Sequence, residues 1–167
     1  MKWSKHTNFI CRRAYCQLWT LRRLKKLGAS QKILIDIYEK HIRSILEYAV
    51  PAWYPMATVE NATDIERVQK CAYSIIFGPK SYRKSLTSQN RLSLEDRFGN
   101  LCTKFALKNV SNPICSEWFC QKQKKVNTRS NVKFTEVPHR CEWWRKSPIP
   151  YMTKVLNENW SWNILLI

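Results

Sequence analysis

Catalysis needs acids, bases or nucleophiles brought together, and this chain is sparing with acids. Its aspartates are Asp36, Asp64 and Asp96. Each falls in or near the opening turns of an expected helix, where a carboxylate complements the helix dipole. No two carboxylates stand together in the strand–turn setting that two-metal phosphoryl transfer requires. With 3 glycines in the whole chain there is no glycine-rich phosphate loop. The 3 histidines are isolated, and His41 falls at the border of a helical apolar face, where packing is its expected role. Cys115, Cys120, His139 and Cys141 are the only soft-ligand cluster. His139 and Cys141 are a single residue apart, however, an awkward spacing for the tight pairs of a zinc site. The reading is therefore ordinary thiols, no metal and no cofactor.

The chemistry the sequence does offer is cationic. Lys+Arg number 29 against 12 Asp+Glu, a net charge of +17 and a pI near 9.8. No acidic residue precedes Asp36. Within that stretch, Arg12, Trp19, Arg23 and Lys26 converge on one side of a helix at about 100° per residue, and Arg22 adjoins Arg23. An aromatic ring among basic side chains at helical spacing suits phosphate and sugar contact. Nucleic acid is the expected partner, held by its backbone rather than read by its bases. The plainer alternative is a basic face that serves solubility alone.

These side chains need a scaffold, and apolar periodicity supplies one. Ile10, Ala14, Leu18, Leu21 and Leu24 predict a helix over Asn8–Leu27, stopped by Gly28. The strongest signal is Ser30–Pro51, with Leu34, Ile37, Tyr38, Ile42, Ile45 and Ala49 on one face. Ser30 is the expected cap, Pro51 the expected stop, and Asp36–Lys40 and Glu39–Arg43 the expected four-apart ion pairs. Ala52–Pro55 reads as an extended connector between prolines. A third helix is predicted over Thr63–Phe77, with Ile65, Val68, Ala72, Ile75 and Ile76 apolar, and a short helix or turn over Ser81–Gln89. A fourth begins at Ser93, with Asp96 in a capping-box relation and Leu94, Phe98, Leu101, Cys102 and Phe105 on its apolar face. Beyond Asn112-Pro113 periodicity fades. Val132–Val137 could form a short strand and Tyr151–Asn157 a last helix.

At 44% apolar residues the chain can build a core. The 7 cysteines are odd in number and irregularly spaced, which points to reduced, intracellular thiols in cytoplasm or nucleus. No apolar run approaches the roughly 18 residues of a membrane span, and no targeting peptide is recognisable.

A resemblance rests on the order of several motifs. Leu24-x2-Leu27-Gly28, Ile37-Tyr38, Ile42-Arg43-Ser44-Ile45-Leu46-Glu47-Tyr48-Ala49 and Trp53 come first. Ile65-Glu66-x-Val68-Gln69-Lys70-x-Ala72, Ile75-Ile76-x-Gly78, Tyr82, Ser93-Leu94-Glu95-Asp96-Arg97 and Lys104-Phe105-Ala106 follow. Together they resemble the thumb and post-thumb region of non-LTR, LINE-type retrotransposon reverse transcriptases of the jockey and RTE kind. Residues 14–110 carry the likeness, and Ile149-Pro150-Tyr151 through Leu156-Asn157 extend it loosely. Phe98-Gly99 departs from it, since a second arginine is usual after Arg97. The resemblance implies a helical thumb that grips template–primer duplex. It also implies that the metal-binding Asp-Asp palm of an RNA-directed DNA polymerase lies upstream, so this chain alone would not be an enzyme.

The sequence thus predicts an all-α fold: a small thumb-like helical bundle over 1–110 and a largely irregular, aromatic-rich tail over 111–167 with a short terminal helix. Arg12, Trp19, Arg22, Arg23 and Lys26 are the expected nucleic-acid-binding residues. The competing reading is a domesticated or decayed helical protein acting as a non-specific nucleic-acid or protein interaction module.

Overall fold

A computed structural model describes residues 3–78, 82–119, 133–136, 138 and 141–163, with backbone alone at 116 and 159–163. Among these residues the chain is all-helical and forms no strand. It divides into two compact units, Met1–Val50 with Ala57–Phe98 and Pro51–Met56 with Gly99–Ile167. The division falls inside the helix Leu94–Val110 rather than at residue 110.

In the first unit, α1 (Ser4–Lys26) buries Thr7, Ile10, Cys11, Ala14, Leu18 and Leu21. It packs chiefly on α5 (Val59–Phe77). Gly28 ends it with φ +82, a left-handed conformation that glycine adopts without penalty. The Gly28 amide donates to Lys25 O and the Ala29 amide to Leu24 O, both at 3.1 Å, satisfying carbonyls the helix would otherwise leave open.

The central element departs from a regular helix. α2 (Gln31–Ile37) runs through a π-helical segment, Tyr38–Arg43, into α3 (Ser44–Glu47). Leu34, Tyr38, Ile42 and Leu46 are its fully buried side chains, each four residues from the last. A strict four-residue spacing drifts about 40° per step around an α-helix. The wider π turn winds that drift back, so the four side chains stay in line. The same shift leaves Ile45 half-buried and Ala49 and His41 exposed, which corrects the face expected from a regular period. Ser30 caps the element as predicted, accepting from the Ile33 amide at 3.5 Å.

Pro51 is not the stop. Tyr48 turns extended at ψ 123 and Ala49 takes φ +52, and these end the helix. Pro51 lies inside α4 (Val50–Trp53), in a first turn whose amides have no helical partner to lose. The expected extended connector is helical too, α4 passing into a 3-10 turn at Tyr54–Met56 with Trp53 and Pro55 buried.

α5 begins at Val59 rather than Thr63 because Thr58 caps it, accepting the Asn61 amide at 3.2 Å. Asp64 therefore lies beyond the first turn, where it pairs with Arg67 at 2.7 Å, and Glu60 takes the position near the dipole. α6 (Tyr82–Ser88) follows. α7 (Leu94–Val110) starts at the predicted cap, with Ser93 Oγ accepting the Asp96 amide at 3.1 Å and donating to Asp96 Oδ2 at 2.6 Å. Leu94, Phe98, Cys102 and Ala106 are its buried ladder, whereas Phe105 is 37% exposed.

The second unit has its own core of Ala106, Phe119, Phe134, Met152 and Leu156, with Val110 and Tyr151 against it. α8 (Glu142–Arg145) precedes α9 (Pro148–Asn163), which extends the expected Tyr151–Asn157 helix at both ends. Asn157 accepts the Phe134 amide at 3.0 Å, and its Nδ2 donates to Phe134 O at 3.2 Å. One side-chain amide thus replaces a strand partner at Phe134, and residues 133–136 form no strand; Val132 and Val137 lie outside the described residues. No helix among the described residues is long and apolar enough to cross a membrane.

Candidate nucleic-acid interface

The basic side of α1 is built by the burial of its other side. With Ile10, Ala14, Leu18 and Leu21 packed inward, the helix turns Arg12, Trp19, Arg22, Arg23 and Lys26 to solvent. Trp19 is 59% exposed, an unusual placement for so large an apolar ring. The Arg23 guanidinium lies over it, 4.9 Å from the ring centroid, a cation–π contact made by residues one helical turn apart. None of Arg12, Arg22, Arg23 and Lys26 forms an ion pair among the described residues. Arg12 and Lys26 are about 21 Å apart along the axis, on the order of six nucleotide steps of a strand that ran along the helix.

A second aromatic–cation pair was missed in the sequence. Phe9 is 58% exposed with the Arg13 guanidinium 5.7 Å from its centroid, the same four-residue relation as Trp19 and Arg23. That spacing is legible in the chain and enlarges the face. Beside Arg12, an open groove between α1 and α5 is lined by Asn8, Tyr15, Cys16, Asp64 and Arg67. Asp64 is neutralised there by Arg67, so the groove adds little negative charge to the face.

Both ends of α1 are tied to α5. Asn61 Nδ2 donates to Thr7 Oγ1 at 2.8 Å, and Thr7 Oγ1 donates to Ser4 O at 3.0 Å. At the other end, Lys25 Nζ donates to the Ile75 and Ile76 carbonyls in the last turn of α5. Lys25 is thus removed from the free cations that the sequence suggests, and serves as a C-terminal cap where positive charge meets the dipole. The two helices lie parallel and fixed in register, which presents the basic side as a rigid stripe.

The second possible chemistry stays undeveloped. Among the described residues no group of His, Cys, Asp or Glu could hold a metal ion. Cys120 and His139 lie outside the described residues; Cys115 is buried and Cys141 exposed. Comparison with protein-family models, with curated proteins and with solved structures gives no match for this chain.

Proposed function

We propose that this chain is a nucleic-acid-gripping helical module, equivalent to the thumb and post-thumb part of a LINE-type reverse transcriptase, that works inside the cell without a catalytic palm of its own. One observation carries the reading: a rigid helical stripe on which unpaired Arg12, Arg22, Arg23 and Lys26 surround a solvent-exposed Trp19. Cations without acidic partners are free to take phosphates and release counterions, and an exposed indole offers a stacking face to sugar or base. The resemblance assigns the same region to the grip on template–primer duplex. Its catalytic aspartates would belong to another segment, so the isolated chain is expected to give no magnesium-dependent primer extension.

The test is a salt titration of binding to duplex and RNA–DNA hybrid. Parent affinity should be sequence-tolerant and fall steeply with salt, at a slope of about 0.9 per phosphate neutralised. Replacing Arg12, Arg23 and Lys26 with Ala should flatten the slope by roughly 2 to 3 units with the helical signal unchanged. Replacing Lys122, Lys124 and Lys125 should do less. Equal slopes for the parent and the α1 triple variant would reduce the stripe to a solubility surface.

A further inference from the structure

We infer that the first unit holds a second anion site, a small arginine-lined pocket that takes a phosphate dianion. The cavity is about 130 Å³, walled by Arg43, Arg91 and Arg97 and floored by Tyr38, Tyr73 and Gln69. That volume admits an oxyanion and excludes a nucleoside.

The charge balance favours an anion. Arg43 lies 2.9 Å from Glu39 and 3.0 Å from Glu47. Arg91 lies 3.0 Å from Glu39, and Arg97 holds Glu47 through both Nε and Nη2. Three guanidiniums therefore share two carboxylates and leave the wall with one net positive charge. Each guanidinium carries about five N–H donors, far more than these contacts use. The carboxylates fix the forks in place, and planar forks suit phosphate geometry.

The floor has no competing anion. Gln69 Oε1 accepts from the Tyr38 hydroxyl at 2.7 Å, and Gln69 Nε2 donates to Tyr82 Oη at 2.8 Å and Leu92 O at 3.2 Å. Glu66 turns away, accepting the Leu94 amide at 3.0 Å and the Tyr82 hydroxyl.

The backbone is bent to supply the third arginine. α6 ends with Asn90 at φ +49, its amide donating to Thr87 O at 3.1 Å and the Arg91 amide to Leu86 O at 3.0 Å. A left-handed residue other than glycine costs roughly 1–2 kcal/mol, which asparagine partly avoids. The turn brings Arg91 to the wall while its side chain stays 41% exposed, at the pocket's mouth. No residue of this site belongs to the basic stripe of α1, so the two can be tested apart.

The phosphate could be inorganic or the monoester end of a nucleic acid. The first arm is thermal melting in phosphate against chloride at equal ionic strength and pH. At ten times its Kd, phosphate multiplies the folding constant about 11-fold, a rise of roughly 3–6 °C. The parent and the R12A/R23A/K26A variant should both show that rise, and Arg91→Gln should lose it. Should Arg91→Gln fail to fold, Arg91→Lys replaces the fork with a point charge and should raise the half-saturating phosphate concentration severalfold. No rise in the parent, or an equal rise in the Arg91 variant, overturns the site. The second arm compares one oligonucleotide with a 5′-phosphate or a 5′-hydroxyl. Tighter binding of the phosphorylated form, lost in Arg91→Gln, assigns the pocket to nucleic-acid ends; equal binding assigns it to free phosphate.

Discussion

Asn61 donates through Nδ2 to Thr7 Oγ1 at 2.8 Å, joining the first turns of α5 and α1 across a sequence separation of 54. Both residues are buried, at 5% and 1% exposure. Thr58 completes the arrangement, its hydroxyl donating to Asn61 Oδ1 at 2.7 Å while accepting the Asn61 amide. Thr7→Val should cost about 1–3 kcal/mol because it leaves the Asn61 amide buried without its acceptor. Thr7→Val with Asn61→Leu should cost less than the sum of the singles, since both sides of one contact are removed. Urea denaturation of the cycle measures this, and strict additivity would refute the coupling.

Leu46 and Ile45 should part company. Leu46 is fully buried, while Ile45 is only half-buried. Leu46→Asp places an unpaired charge in the core and should abolish cooperative unfolding. Ile45→Asp can turn its carboxylate toward solvent and should still melt cooperatively at a lower temperature. Calorimetry of the two variants checks the shifted face, and the reverse order would restore the regular helical period.

Trp19→Ala should separate stacking from charge at the basic stripe. Loss of an aromatic stacking partner typically costs about 1–3 kcal/mol of single-strand binding. The indole neutralises no phosphate, so the salt slope should stay at the parent value. Fluorescence anisotropy at several salt concentrations reads both quantities. A changed slope with unchanged affinity would mean that Trp19 acts only by orienting Arg23.

Alkaline pH should loosen the protein through its thiols. Burial raises the Cys102 thiol to about 12, and burial followed by the negative charge of Asp64 raises Cys11 to about 11. Their ordinary value is 9.0. Between those values the unfolded chain releases protons that the folded chain keeps, so stability falls with rising pH. The contribution is whole below pH 9 and declines through pH 9–11 for Cys11, with Cys102 continuing toward 12. Melting temperatures across pH 8 to 11 should show the decline, and Cys11→Ala with Cys102→Ala should flatten it. At neutral pH a thiol reagent should modify exposed Cys16 and Cys141 first and reach Cys11, Cys102 and Cys115 only on unfolding.

Elements with strong local signals were legible in the sequence. The Gly28 stop, the Ser30 and Ser93 caps and the Glu39–Arg43 pair all follow from side chains acting within a turn or two. The outward placement of Arg12, Trp19, Arg22, Arg23 and Lys26 follows likewise from the apolar periodicity of one helix. What escaped depends on partners distant in the chain. The π segment exists in the packing of Tyr38 beside Tyr73, whose rings meet edge to face at 5.7 Å, and nothing local marks it. Lys25 reads as one more surface cation until α5 offers it two carbonyls. The core around Phe134 joins residues from four separated stretches, so no periodicity announces it.

The π segment also makes the chain sensitive to length at that point. A π turn is equivalent to one residue inserted into an α-helix, and removing a residue between Tyr38 and Arg43 would allow a regular helix to close. Everything beyond would then rotate by about 100°. Leu46 would leave the core, and Glu47 would leave Arg97, which joins the third element of the bundle to the fourth long helix. An in-frame deletion there, harmless to helix content, would therefore break the tertiary structure, whereas a substitution that keeps the count would not. The segment behaves as a phase marker for the whole first unit.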